Sequence, residues 1–181
     1  MAWKLDTAHS LVEFSVKHMM ITTVRGRFTK FDGAVTADPQ NPLVASVEGW
    51  IDVASVDTHE PDRDNHLRSP DFFDVAQFPR LTFRSKRIEK AGSDTFRVIG
   101  DLTIKNTTRE IAFEVTDGGQ GKDPWGNLRW GLTASTTLNR KDFGLTWNVA
   151  LETGGWLVGD QVKINTEMEL IYVPETEKAP A

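Results

Sequence analysis

Apolar side chains recur at every second position along most of this chain. Val12, Phe14 and Val16 alternate with Glu13, Ser15 and Lys17, and Phe96, Val98, Gly100, Leu102 and Ile104 form a second such set. Ile111, Phe113 and Val115 oppose Glu110 and Glu114. Trp130, Leu132, Ala134, Thr136 and Leu138 face away from Gly131, Thr133, Ser135 and Thr137. Val162, Ile164, Thr166, Met168 and Leu170 oppose Lys163, Asn165, Glu167 and Glu169. A period of two places one set on each face of a strand, whereas an amphipathic helix repeats at 3.6. The pattern predicts eight strands, near residues 11–18, 24–37, 43–56, 80–89, 95–104, 109–117, 129–139 and 162–172. Short polar connections such as "ADPQNP", "KAGSD" and "KNTT" make neighbours antiparallel. Eight long antiparallel strands remove their exposed edges by closing on themselves. The expectation is therefore an all-β protein, an eight-stranded antiparallel barrel able to hold side chains or one small ligand. A two-sheet sandwich satisfies the same alternation.

The alternation stops at "DTHEPDRDNHLRSPDFFDVAQFP", residues 57–79. This stretch reads as a crossover with one or two short helices lying over a barrel end. Ser69 before Pro70 reads as a helix start, with Asp71 in the first turn. Phe72, Phe73 and Val75 are placed to plug apolar surface, and Pro79 ends the segment. A crossover this long in a tight meander calls for a reason, and sealing a cavity is one.

A length of 181 residues suits one domain, drawn here as 1–173, followed by a polar tail "PETEKAPA" at 174–181 that reads as disordered. The net charge of -5 offers no broad positive field for nucleic acid. The absence of cysteine removes disulfides, thiolate nucleophiles and cysteine-bound zinc. No apolar run is long enough for a membrane-spanning helix. The opening "MAWKLDTAHS" does not read as a secretory leader, so a cytoplasmic address is expected, with a periplasmic or secreted one if a leader has been removed.

Candidate chemistry is sparse. His59 and His66, with Glu60, Asp62 and Asp64, carry metal-capable atoms, but their spacing matches neither a zinc "HExxH" nor a calcium loop. The segment reads instead as a capped helix in which Arg63 and Arg68 pair the acids, with no metal and no cofactor. His18 shares parity with Val12, Phe14 and Val16 and would point inward at a strand end. Neither "GxSxG" nor "GxxxxGK[ST]" occurs. The aromatic load is heavy and short of hydroxyls, with 10 Phe and 6 Trp against 1 Tyr. Trp50 breaks parity with Val47, Ile51 and Val53, so it lies either under the crossover or in an outward apolar patch.

Several stretches together resemble the YceI-like, polyisoprenoid-binding family: "DTAHSLVEFSVKHMM", "VRGRFTKFDG", "SVDTHEPDRDNHLRSPDFFDVAQFPRLTF", "GDLTIKNTTREI", "NRKDFGL" and "ETGGWLVGDQVKI". The resemblance runs from Trp3 to about Tyr172. It implies a lipocalin-like barrel holding a long isoprenoid, or a similar amphiphile, in an apolar interior. Carried over residue by residue, it implies ligand contacts from Phe14, Val16, His18 and Met20 on the opening strand. "RDNHL" supplies Arg63, Asp64, His66 and Leu67, and "PDFFDV" supplies Phe72 and Phe73. The wall supplies Phe83, Leu102, Phe113, Leu132 and Trp147. The function implied is carriage or sequestration rather than catalysis. Two alternatives stand beside it: a lipid-modifying enzyme using His66 and Asp64, and an interaction module that forms a homodimer through its outer face near Trp50.

Overall fold

The structure is a computed structural model that describes residues 1–38 and 40–174, so most of the tail expected to be disordered, 175–181, lies outside the described residues. Among the described residues the chain forms eleven β-segments and one α-helix. The segments are β1 (Ala2–Leu5), β2 (Leu11–His18), β3 (Thr22–Phe28), β4 (Phe31–Asp38), β5 (Asn41–Asp52), β6 (Val56–Asp57), β7 (Arg80–Lys90), β8 (Thr95–Ile104), β9 (Thr107–Lys122), β10 (Leu128–Asn139) and β11 (Val158–Val173). The helix α1 (Pro61–Arg68) lies in the crossover between β6 and β7. Every pairing is antiparallel, and the sheet closes into an eight-stranded barrel.

Closure depends on β1, which the periodicity reading did not find because four residues are too few to show a period. Trp3 sits opposite Val35 of β4 on one side and Tyr172 of β11 on the other, so the two ends of the meander are joined through it. The 16-residue β11 serves two partners along one edge, β1 near its C-terminus and β2 along its first half. The strand expected over 24–37 is broken at Thr29–Lys30. There Ser55 Oγ accepts hydrogen bonds from both backbone N–H groups, at 3.1 and 3.0 Å, and turns the chain from β3 to β4. The strand expected over 43–56 ends at Asp52, whose carboxylate caps the 3-10 turn Val53–Ser55.

Of the one or two short helices expected in the crossover, one forms, over the segment read as a capped helix around His59–His66, and Ser69 does not start another. Pro61 occupies the first turn, Glu60 caps it by accepting from the Asp62 N–H at 3.0 Å, and Asp62 and Asp64 face the positive end of the dipole. Ser69 is its C-cap, and Pro70 and Asp71 lie in the turn beyond. Arg68 does not pair the acids. It donates to the carbonyls of Ala54 and Val56, tying the helix to the β5–β6 corner.

The barrel interior is packed at its ends. Near β1, Trp3 lies 5.3 Å from Trp130 and 5.5 Å from Tyr172, with Val35, Ala37 and Leu170 around them. At the opposite end, Phe73 of the crossover meets Phe28, with ring centres 6.1 Å apart, and joins the cluster of Leu102, Ile104, Leu138 and Phe143. Gly26 is required at that end: a Cβ there would collide with the Phe14 ring, which lies over it.

Candidate functional site

Between the two packed ends lies a cavity of about 330 Å³ walled almost entirely by carbon. Its volume falls within the range of small-molecule sites. The inward sets of the strands build it, because a side-chain period of two sends alternate residues to the interior all round a closed barrel. Phe14, Val16, Phe83, Leu102, Phe113 and Leu132 border it, and Leu67, Phe72 and Phe73 reach it from the crossover. Phe83 and Phe113 meet edge to face, with centres 5.2 Å apart. Between β4 and β5 the wall is thinned by Gly33 opposite Gly49, two inward positions without side chains.

The polar side chains at the cavity wall are mostly committed to the protein. Asp117 accepts from Trp130 Nε1 at 2.8 Å. Arg140, among the most buried charged residues, donates to the carbonyls of Leu145 (2.6 Å), Gly159 (2.8 Å) and Trp147 (2.9 Å). Burial lowers its pKa from the ordinary arginine value, and the Asp160 charge opposes that shift. Its role is to hold the 144–157 loop and the start of β11 against the barrel end. Thr166 Oγ1 is buried at the wall with no hydrogen-bond partner among the described residues.

The other residues carried over from the resemblance do not border the cavity. His18 closes β2 opposite Val158 and Thr22, and Met20 lies in the hairpin tip beyond it, 67% exposed. Asp64 is buried and accepts from both Thr58 N (2.8 Å) and Thr58 Oγ1, while Arg63 donates to Thr58 Oγ1 and O. These two residues lock the start of the crossover. His66 Nε2 is 2.8 Å from Asp71 Oδ2, and its ring packs edge-on against Trp147 (4.6 Å) and Phe72 (5.1 Å). That trio joins the crossover to the 144–157 loop. A lipid-modifying site built on His66 and Asp64 lacks its pair, since each side chain is bonded elsewhere. Trp50 stands on the outer face with the Arg80 guanidinium stacked 4.0 Å from its ring centre, so it is covered from within the chain.

The acids and histidines of 57–66 do not converge. Among the described residues, the group whose ligand atoms do approach one another is Asp6, His9 and Glu169. Arg129 already fills it, with Nη1 on Asp6 and on Glu169 (2.6 Å) and Nε on Asp123 (2.9 Å). Hydrogen bonding to His9, and then to Arg129, lowers the Asp6 pKa.

Residues 3–170 match the YceI-like domain. The chain belongs to the YceI-like family. It is 39% identical over 165 residues to UPF0312 protein SAS2572 of Staphylococcus aureus strain MSSA476, covering 91% of this chain and 94% of that one. Among solved structures it is similar to Burkholderia cenocepacia BcnA, with a TM-score of 0.78, 28% identity, and 91% and 98% of the two chains covered. The Campylobacter jejuni YCEI protein has a TM-score of 0.74 at 30% identity, covering 93% and 96%. A polyisoprenoid binding domain from Saccharophagus degradans, implicated in plant cell wall breakdown, has a TM-score of 0.70 at 14% identity, covering 94% and 98%, a likeness of fold alone.

Two features of this YceI-like site escaped the sequence reading. The Gly33–Gly49 window was hidden because a glycine carries no hydropathy signal to mark its face. The Arg140 knot was hidden because an arginine beside a strand end reads as solvated; the "NRKDFGL" stretch around it was the available signal.

Proposed function

We propose that this YceI-like barrel binds the hydrocarbon of a long-chain isoprenoid or similar amphiphile in its interior, and that it carries or sequesters that molecule. The observation that carries the reading is the cavity inside the barrel, whose wall is carbon and whose polar side chains are nearly all bonded within the protein. Such a site recognises a tail by removing it from water, at about 0.8 kcal/mol per buried CH₂. Selectivity then rests on the length and shape of the space, with the polar head left outside. The shared fold with a domain described as polyisoprenoid-binding supports the choice of ligand class. The test is native mass spectrometry of purified protein, followed by organic extraction and titration with a fluorescent polyprenyl analogue. A bound lipid mass lost on extraction, with saturable uptake of the analogue, is expected. Protein that carries no lipid and takes up no analogue would overturn the proposal.

A further inference from the structure

Exposed large apolar side chains lie at both ends of this barrel: Met1, Leu43, Val44 and Trp125 near β1, the start of β5 and the β9–β10 turn, and a five-residue group at the β2–β3 end, which cations flank. The β2–β3 hairpin tip presents Met19, Met20 and Ile21, and the adjoining loop presents Val149 and Trp156. The two loops form one surface. Met19 N–H donates to the Leu157 carbonyl at 2.8 Å, Leu157 N–H donates to the Val149 carbonyl at 2.9 Å, and a Cβ on Gly155 would collide with Met20 Sδ. Met20 is 67% exposed, Ile21 75% and Trp156 52%. Met19 and Met20 hold φ of 53° and 64°, a left-handed backbone that glycine or asparagine adopts more readily. Two methionines at the tip therefore serve something other than the turn.

Cations flank this tip. Lys17, Arg25 and Lys163 are exposed on the outer face of β2, β3 and β11, with Arg25 and Lys163 both registered on Ser15. None of the three takes part in an ion pair among the described residues, and Asp160, the acid in the adjacent bulge, is paired with Arg140 and Lys141. Glu152, in the loop itself, and Glu13, beside Ser15 on the same face of β2, are opposing charges. The chain is net negative, so this facet departs in sign from the whole.

We propose that this end docks on an anionic lipid bilayer, with Met19, Met20, Ile21 and Trp156 entering the interface and Lys17, Arg25 and Lys163 facing the headgroups. Apolar tips with an indole among them, flanked by basic residues, match the chemistry of an interfacial anchor. A second copy fits less well, because a two-fold interface on this surface would set the same cations against one another. The tip lies where β2 ends and β11 begins, at the end where Val16 and Val158 border the cavity. Exchange of the cavity's ligand across this surface rests on the proposed function; the docking itself does not.

The test is co-sedimentation of the full chain with vesicles of equal parts phosphatidylglycerol and phosphatidylcholine, and with vesicles of phosphatidylcholine alone. Stronger partition to the anionic vesicles is expected. The combined change Met20→Ser, Ile21→Ser and Trp156→Ser should weaken that partition about tenfold or more. Lys17→Gln with Arg25→Gln should weaken it by about fivefold per charge, and the difference should vanish near 1 M salt, where the screening length is about 3 Å. Brominated lipid should quench wild-type tryptophan fluorescence more than that of Trp156→Phe, a readout independent of the triple variant's folding. Wild type that ignores anionic vesicles, equal quenching in Trp156→Phe, or a soluble wild-type dimer that the triple variant splits would each overturn the proposal. The vesicles contain no polyprenyl ligand, so a negative result leaves the cavity reading intact. Docking without uptake of the polyprenyl analogue would reject only the cavity reading.

Discussion

Ala134→Trp puts the cavity reading under direct test. Ala134 lies midway along β10, opposite Val115 and Thr166, with Val98 in the same cluster, and its side chain borders the cavity. In a filled barrel the added ring would overpack and cost about 1–3 kcal/mol of stability. Here the indole has a cavity of about 330 Å³ to enter. An aromatic ring carries about 150–250 Å² of surface, and at about 25 cal/mol/Å² its burial offsets the local adjustment. The apo protein is therefore expected to melt within a few degrees of wild type. The ligand should suffer. Displacing as few as three tail methylenes costs about 2.4 kcal/mol at about 0.8 kcal/mol each, which is about fiftyfold in Kd. The assay pairs thermal unfolding of apo protein with titration of a fluorescent polyprenyl analogue. A stable variant that binds as tightly as wild type would place the ligand outside the barrel. A strongly destabilised variant of a protein that never took up the analogue would show that the interior acts as core.

Asp64→Ala should destabilise by about 1–3 kcal/mol, because it strands the buried Thr58 N–H and hydroxyl, and urea unfolding measures it. The Asp123 pKa is held at about 2, below the usual carboxylate value, chiefly by the Asn127 side chain, with Arg129 and backbone N–H groups adding to it. Because the folded value is depressed, Asp123 contributes stability above the unfolded pKa near 4 and loses it as pH falls toward 2. The melting-temperature gap between wild type and Asp123→Asn should be open at neutral pH and close over that window; a gap that widens on acidification would contradict the assignment. Met20→Gly should raise stability by about 1 kcal/mol, or about 2–4 °C in Tm, by relieving the left-handed backbone at the tip. An unchanged or lower Tm would show that Met20 packing outweighs the strain.

The strand faces were legible because burial of one face forces a period of two, and a closed barrel imposes that rule on every strand at once. The inward sets that start at Phe14, Phe96, Trp130 and Val162 are the cavity wall. The corner between β3 and β4 was also written in the chain, as a change of phase from Val24, Gly26 and Phe28 to Phe31, Gly33 and Val35, though it was read as one strand. The crossover offered two helix starts, since Pro61 and Pro70 both signal a first helical turn and local chemistry does not choose between them. The choice came from tertiary partners: Thr58 locking Asp64, and the Ala54 and Val56 carbonyls holding Arg68.

The fates of the polar candidates were decided by the fold alone. His66 and Asp64 are two residues apart in the chain, yet they answer to Asp71 and Thr58, and neither reaches the interior. Met20 shares the parity of Phe14 and Val16 but lies past the strand, where parity has no meaning. Arg140 looks solvated in sequence and is buried because the carbonyls of Leu145 and Trp147, in the loop that follows it, and of Gly159, at the start of β11, converge on it. The sequence by itself determined the class of the fold and the faces of its strands, since alternation is a local property. Which end is plugged, which polar groups are spent, and that a hollow remains between them are consequences of closure, which brings together side chains that no short window of sequence contains.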